Sequence, residues 1–242
     1  MKQSPGRLRE RCIIKGHKMR YVIFSDLHGN DLALKKLLDK ERPGEDKKFI
    51  FCGDICGYYY HEKECIELLE SIEGLITVRG NHDQYYIDSY EDEELTEKLI
   101  KKYGSSYAQK DKEVLSYLEN MPVTAEISVG DKKCRIAHGT WKDPMEGRIY
   151  PDSDMKEIEA GYIYISGHTH YGMIKKADDH IWINPGSLGQ PRDKKGFSYC
   201  VMDDDTMEIE FRYLEVDVSS IIEEARVRDP ENKYLEEIFY RR

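Results

Sequence analysis

The chain has no long apolar run. No segment approaches the roughly 20 apolar residues that span a bilayer, so neither a membrane helix nor a membrane partner is expected. Residues 1–18 are polar and basic and lack an apolar h-region, so a secretory signal is not expected. Proline is sparse, with 8 in 242 residues, and no Pro/Gly/Ser-rich stretch divides the chain. That length suits one large α/β domain with a sizeable core. The six cysteines, Cys12, Cys52, Cys56, Cys65, Cys134 and Cys200, are scattered. Cys52 and Cys56 lie close together, but a zinc knuckle needs a second such pair, and none exists. Reduced structural thiols are expected, and with no export signal they point to the cytoplasm.

Positive charge is also short. Lys and Arg number 37 against 47 Asp and Glu, a net charge of −10. A broad nucleic-acid footprint would be basic, so long nucleic acid is not an expected partner. The exception is residues 1–18, with six Lys and Arg (Lys2, Arg7, Arg9, Arg11, Lys15, Lys18) against Glu10 alone. This basic arm reads as a solvated leader, or as a contact for a partner or anionic substrate.

What the chain does have is five short polar motifs in a fixed order. They are Asp26-Leu27-His28-Gly29-Asn30, Gly53-Asp54, Gly80-Asn81-His82-Asp83, His138-Gly139 and Gly167-His168-Thr169-His170. Each follows an apolar, β-prone run, at 21–25, 49–52, 75–78, 134–137 and 162–166. A strand ending in His, Asp or Asn delivers ligands to the carboxyl edge of a sheet, where open α/β sheets place their sites. Of eight histidines, five fall in these motifs. One such motif alone would be unremarkable. Five at successive strand ends need a common cause.

Periodicity places the motifs. Strands at 21–24, 49–52 and 75–78 alternate with helical patterns, one through Leu34, Leu37 and Leu38 and one over 62–71. Asn30 or Asp31 is the candidate N-cap of the first helix. Such alternation favours a largely parallel sheet with crossover helices. Two helices are expected between 84 and 121, as a solvated insertion, a lid or a subunit contact. From 124 to 213 strands dominate, with hairpin signals at Gly130-Asp131 and Asp178-Asp179. The expected architecture is two packed sheets with helices outside. The C-terminal stretch, 217–242, reads as a helical tail with an apolar face at Leu235, Ile238 and Phe239, docked on its own domain or on a partner. The remaining histidines, His17, His61 and His180, read as surface residues.

The ordered set D-x-H, G-D, G-N-H-D, H and G-H-x-H resembles the calcineurin-like metallophosphoesterase superfamily. Asn184-Pro185-Gly186-Ser187 resembles its branch of small prokaryotic phosphodiesterases and phosphatases. The resemblance runs over about 21–213. It implies an α/β fold, a four-layer α/β/β/α sandwich of two mixed sheets flanked by helices. The domain would span 19–216, with the helical insertion at about 84–121. It also implies two divalent ions, Mn, Fe, Ni or Zn. One would be held by Asp26, His28, Asp54 and His170, and the other by Asp54, Asn81, His138 and His168.

The implied reaction is hydrolysis of a phosphomonoester or phosphodiester by a hydroxide bridging the ions, with His82 as general acid. Asp83 is expected either to orient His82 or to cap a helix. Asn30 and Arg192 are candidate phosphate contacts, Arg192 alternatively a surface residue. Tyr58-Tyr59-Tyr60 reads as core packing or as a platform for a ring. The expected partner is a small phosphorylated substrate or nucleotide, with a phosphoprotein also open. A metal-binding scaffold on the same fold is the alternative, as is a dinucleoside-polyphosphate hydrolase. The retained His82 favours an enzyme.

Overall fold

The computed structural model describes residues 19–155, 159–177, 179–193 and 196–240. The basic arm, residues 1–18, lies outside them. The first half alternates as its periodicity predicts: β1 (Arg20–Phe24), α1 (Asp31–Glu41), β2 (Lys47–Phe51), α2 (Glu62–Glu70) and β3 (Ile76–Thr77). Three helices follow, α3 (Asn81–Ser89), α4 (Glu93–Tyr103) and α5 (Lys112–Asn120), with a 3-10 turn at Ser105–Ala108. Seven strands come next: β4 (Thr124–Val129), β5 (Lys132–Ala137), β6 (Tyr162–Ile165), β7 (Met173–Ala177), β8 (His180–Asn184), β9 (Phe197–Asp203) and β10 (Ile209–Leu214). The chain then forms α6 (Ser219–Arg228) and α7 (Tyr234–Glu237).

The strands make two mixed five-stranded sheets, ordered β10-β9-β1-β2-β3 and β4-β5-β6-β8-β7. Strands β1, β2 and β3 are parallel, as are β5, β6 and β8. Each motif follows one of these parallel strands, so within each sheet the motifs share one edge. Alternation along β1 separates two cores. Val22 and Phe24 face the helices with Leu34, Leu37 and Phe51. Tyr21 and Ile23 face the second sheet with Ile50, Cys134, Ile136, Ile165 and Cys200. The expected α/β fold of two mixed sheets with flanking helices is therefore what the chain adopts. The outer face of the second sheet, with Tyr164, Met173 and Trp182, is covered by Trp141, Ile149 and Met155 of the β5–β6 connection.

The segment after β3 holds one helix more than its periodicity suggested. Helix α3 starts at Asn81, inside the third motif, because Gly80-Asn-His-Asp is itself a helix start. The Asp83 carboxylate accepts from the Gly80 amide at 2.9 Å, closing the first turn. His180 also departs from expectation: it is buried on β8 rather than exposed.

The tail docks on its own domain. Leu235 and Ile238 are fully buried, and Phe239 stacks on Tyr59 with ring centroids 5.3 Å apart. The Tyr59 hydroxyl donates to the Leu235 carbonyl at 2.9 Å. Asp229 ties the tail to the insertion, accepting from the Ser105 amide at 2.9 Å and the Ser105 hydroxyl at 2.8 Å. Among the described residues no helix is long and apolar enough to cross a membrane.

Truncating a fully buried leucine costs about 2–5 kcal/mol. Leu235→Ala should lower the urea midpoint accordingly while the far-UV circular dichroism stays native. An unchanged midpoint would show that the tail adds nothing to the stability of the fold.

Candidate metal centre

The motif residues occupy unusual backbone. Asp26 (φ +56°), His28 (+50°), Asp54 (+63°), His168 (+65°) and His170 (+60°) all lie in the left-handed region. That region costs a non-glycine residue about 1–3 kcal/mol. The loops are locked to one another to hold it. Amides of Asp26, Leu27 and Gly29 donate to carbonyls of Gly53, Asp54 and Ile55 at 2.9, 2.8 and 2.8 Å. Glycine is required where the third motif crosses the second: a Cβ on Gly80 would stand 2.1 Å from Asp54 Oδ1.

Two groups of side chains converge, Asp26, His28, Asp54 and His170 in one and Asp54, His138 and His168 in the other, with the ligand atoms of each within 4.8 Å of one another. All six residues are buried. Asn81 joins the second group, its Oδ1 3.0 Å from His138 Nε2 and 2.9 Å from His168 Nδ1. Asp54 belongs to both. The His82 amide donates to its Oδ1 at 2.8 Å, while Oδ2 lies 3.2 Å from His138 Nε2 and 3.8 Å from His28 Nε2. The structure thus brings all seven side chains together at one place.

The residues fit a cation. His28 Nδ1 donates to the Cys56 carbonyl at 2.8 Å and His170 Nδ1 to the Gln190 carbonyl at 2.7 Å. A carbonyl only accepts, so both rings carry their proton on Nδ1 and turn bare Nε2 lone pairs inward. Those two nitrogens are 3.1 Å apart, and His170 Nε2 is 3.2 Å from Asp26 Oδ1. Three acceptors at this distance repel unless an electrophile lies among them. His138 repeats the pattern, its Nδ1 donating to the Cys52 carbonyl at 2.7 Å.

Titration follows the same logic. Burial, reinforced by His170, drives His28 well below the usual imidazole range. Burial lowers His168 to about 3, with His138 adding repulsion. Burial opposes charge on His138 as well, but the Asp54 carboxylate overcomes it and holds His138 up at about 10. Burial raises Asp54 to about 6 against the pull of His138. At neutral pH the pair therefore holds one proton, on His138.

The remaining candidates separate. His82 is buried beside the centre, its ring 5.0 Å from that of His28, and belongs to neither ligand group. Asp83 does not bond the His82 ring. Its carboxylate is consumed by four backbone amides, of Asp54 (2.9 Å), Ile55 (2.7 Å), Cys56 (3.1 Å) and Gly80 (2.9 Å). Of its two expected roles, the helix-start role is met and the orienting role is not. The His82 Nδ1 partner is instead the Tyr107 hydroxyl, at 2.7 Å. Asn30, a candidate phosphate contact, is engaged by the backbone. Its oxygen caps α1 through the Ala33 amide and its nitrogen donates to the Leu188 carbonyl. Arg192 is half-buried beside the Tyr58 and Tyr234 hydroxyls, and its Nε has no hydrogen-bond partner among the described residues.

Sequence reasoning missed Tyr107, which lies in an ordinary Ser-Ser-Tyr-Ala stretch with no motif to mark it. It also left the Asn184–Ser187 turn without a task. Asn184 Nδ2 donates to the Gly167 carbonyl at 2.6 Å, and Ser187 Oγ to the Asp26 carbonyl at 2.8 Å. The turn therefore braces the first and fifth motifs.

A family model for the calcineurin-like phosphoesterase superfamily domain matches residues 19–207. The chain belongs to that superfamily. It is 29% identical over 228 residues to an uncharacterized protein of Methanocaldococcus jannaschii, covering 85% of this chain and 91% of that protein. It is 20% identical over 203 residues to phosphodiesterase YfcE of Escherichia coli K12, covering 79% and 91%. A metallophosphoesterase from Sphaerobacter thermophilus superposes with a TM-score of 0.71 at 25% identity, over 91% of this chain and 98% of that one. With its cluster of candidate metal ligands, the chain is a phosphoric ester hydrolase of this family.

An ion needs the His138 lone pair, so binding must displace the His138 proton at any pH below about 10. Affinity should therefore rise with pH. Calorimetry of Mn or Zn binding at pH 7, in buffers of different ionisation enthalpy, should report about one proton released. Zero release would contradict the assignment. Asp54→Ala, which removes the carboxylate common to both groups, should lower the metal content left after dialysis.

Proposed function

We propose that the chain hydrolyses small phosphomonoesters or phosphodiesters at a two-ion centre, with His82 as general acid. The observation that carries this reading is the division of labour around Asp54. Its carboxylate is shared by both ligand groups, while the adjacent His82 is buried and belongs to neither. A scaffold that only binds metal has no use for that imidazole. The domain spans 19–216, with the insertion at 84–121 and a tail at 217–242.

Two divalent ions, Mn, Fe, Ni or Zn, would supply a deprotonated water near neutral pH and neutralise the phosphoryl oxygens. The residues of the chain do the rest. Asp26, His28 and His170 fix one side of the centre, Asn81, His138 and His168 the other. Asp83 holds the Asp54 loop through its four amide bonds. Arg192, whose guanidinium interacts with Asp26, would bring positive charge toward a phosphoryl oxygen. His82 gives its proton to the leaving oxygen as the phosphorus–oxygen bond breaks. Burial keeps that imidazole well below its usual range in the free site, with His28 contributing. The anionic phosphoryl group brings the opposite charge and favours the protonated form.

A nucleotide substrate is the second reading, and the rings around His82 favour it. Tyr103 lies 4.5 Å and Tyr58 5.0 Å from the His82 ring, centroid to centroid. Tyr85 stacks on Tyr103 at 6.2 Å. Such a wall suits a leaving group that bears a ring. Five buried cysteines are free, as a reducing cytoplasm would keep them.

The test is a panel of aryl monoesters and diesters, phosphopeptides, cyclic nucleotides and dinucleoside polyphosphates, each with Mn, Ni, Zn and Mg. His82→Ala should lower kcat by about 100-fold or more with metal content unchanged. No turnover by the native chain with any metal would shift the reading to a scaffold. Full activity in His82→Ala would refute the proton-donor role.

A further inference from the structure

Tyr107 is held against His82 from three sides. Its hydroxyl oxygen is 2.7 Å from His82 Nδ1 and 3.4 Å from the His82 carbonyl oxygen. Its ring is fully buried. The 3-10 turn that carries it is tied down at its first residue, where Asp229 accepts from the Ser105 amide and hydroxyl. The third side is Gly57. At φ +86° it leaves the gap that the pair fills, since a Cβ there would stand 2.4 Å from His82 Nδ1 and 2.9 Å from the Tyr107 oxygen. A side chain at 57 is incompatible with this contact.

We propose that Tyr107 is the positioning residue for the general acid, holding His82 with its proton on Nδ1 so that Nε2 carries the transferable one. This inference rests on the reading of His82 as the proton donor. The hydrogen-bond directions support it. The Tyr107 hydroxyl can donate to the His82 carbonyl and accept from Nδ1–H at the same time. When the phosphorus–oxygen bond breaks, the leaving oxygen keeps the electron pair and takes the Nε2 proton. The imidazolium becomes neutral imidazole, still protonated on Nδ1 and still bonded to Tyr107. The opposite arrangement, with Tyr107 donating to Nδ1, would leave an imidazolate after transfer, which is prohibitively basic. Asp83 cannot take the task, because its oxygens serve four backbone amides.

A positioning role has a signature that a packing role lacks. Protonation matters little for an acidic leaving group and a great deal for a basic one. In the full chain loaded with Mn, Tyr107→Phe should lower kcat/KM about tenfold for p-nitrophenyl esters and roughly 100-fold for unsubstituted phenyl esters. In a His82→Ala background the same change should cost nothing further. A loss that is equal across the leaving-group series, or that adds to the loss from His82→Ala, overturns the inference.

A second measurement is independent of turnover and of the variant's folding. Nitrogen-15 NMR of histidine-labelled native chain, with the His82 signals assigned by their disappearance in His82→Gln, should show Nδ1 protonated. A bare Nδ1 overturns the inference outright. An inactive native chain would fail the functional reading and this inference with it. An active native chain with a flat leaving-group profile fails this inference alone.

Discussion

The structure turns on a repulsion. Two imidazole nitrogens, His28 Nε2 and His170 Nε2, face each other at 3.1 Å with both lone pairs exposed, and carboxylates of Asp26 and Asp54 crowd the same space. Nothing in hydrocarbon packing favours this. All four of these residues, and His168 with them, also sit in left-handed backbone, at about 1–3 kcal/mol apiece. Their sum approaches the whole net stability of an ordinary domain, about 5–15 kcal/mol. The arrangement survives because the rest of the chain over-determines it. Cys52, Cys56 and Gln190 carbonyls pin three rings, and the motif loops bond to one another amide by amide. The Asp54 carboxylate beside His138 adds to this, favouring the charged form of that ring against its burial.

This explains which parts of the molecule were legible in the sequence. Ligands must be His, Asp or Asn, and a strand must deliver them, so Asp26, His28, Asp54, Asn81, His138, His168 and His170 stand out as polar residues after apolar runs. The alternation of β1 to β3 with helices was equally plain, because β1 and β2 carry buried runs such as Val22 to Phe24 and Phe49 to Phe51. The side chains that steady the ligands were not legible. Asn30 and Asp83 look like site residues, yet their polar atoms are spent on backbone amides and a carbonyl. A sequence shows which side chains can bond, not which of several partners wins. The carbonyls that set the histidine tautomers belong to residues whose side chains say nothing about that task.

Tyr107 shows the limit from the other direction. Its partner His82 is 25 positions away, and the contact exists only because an intervening helix, α4, ends at Gly104 (φ +109°) and turns the chain back. The turn is then held by Asp229, 124 residues beyond Ser105. The same carboxylate accepts from the Tyr60 hydroxyl at 2.6 Å, and Tyr60 follows closely on the Asp54 loop. One tail residue thereby couples the insertion to the segment that runs out of the second motif. The insertion and the tail, which lie outside the motifs, are joined to the centre through this carboxylate.

That coupling bears on how such a site can be built from separable parts. The seven candidate ligands follow parallel strands of two facing sheets, Asn81 as the first residue of α3. The ring around His82 is different: Tyr85, Tyr103 and Tyr107 come from 81–108, and Tyr234 from the tail packs near Tyr58 at 6.1 Å. On the proposed reading, the side chains that hold metal and those that face the leaving group therefore come from different stretches of chain. The close bond between them runs through His82, whose amide donates to Asp54 and whose ring meets Tyr107. A residue in that position cannot move without disturbing one side or the other, which is why its ring needs a partner as rigid as a buried tyrosine.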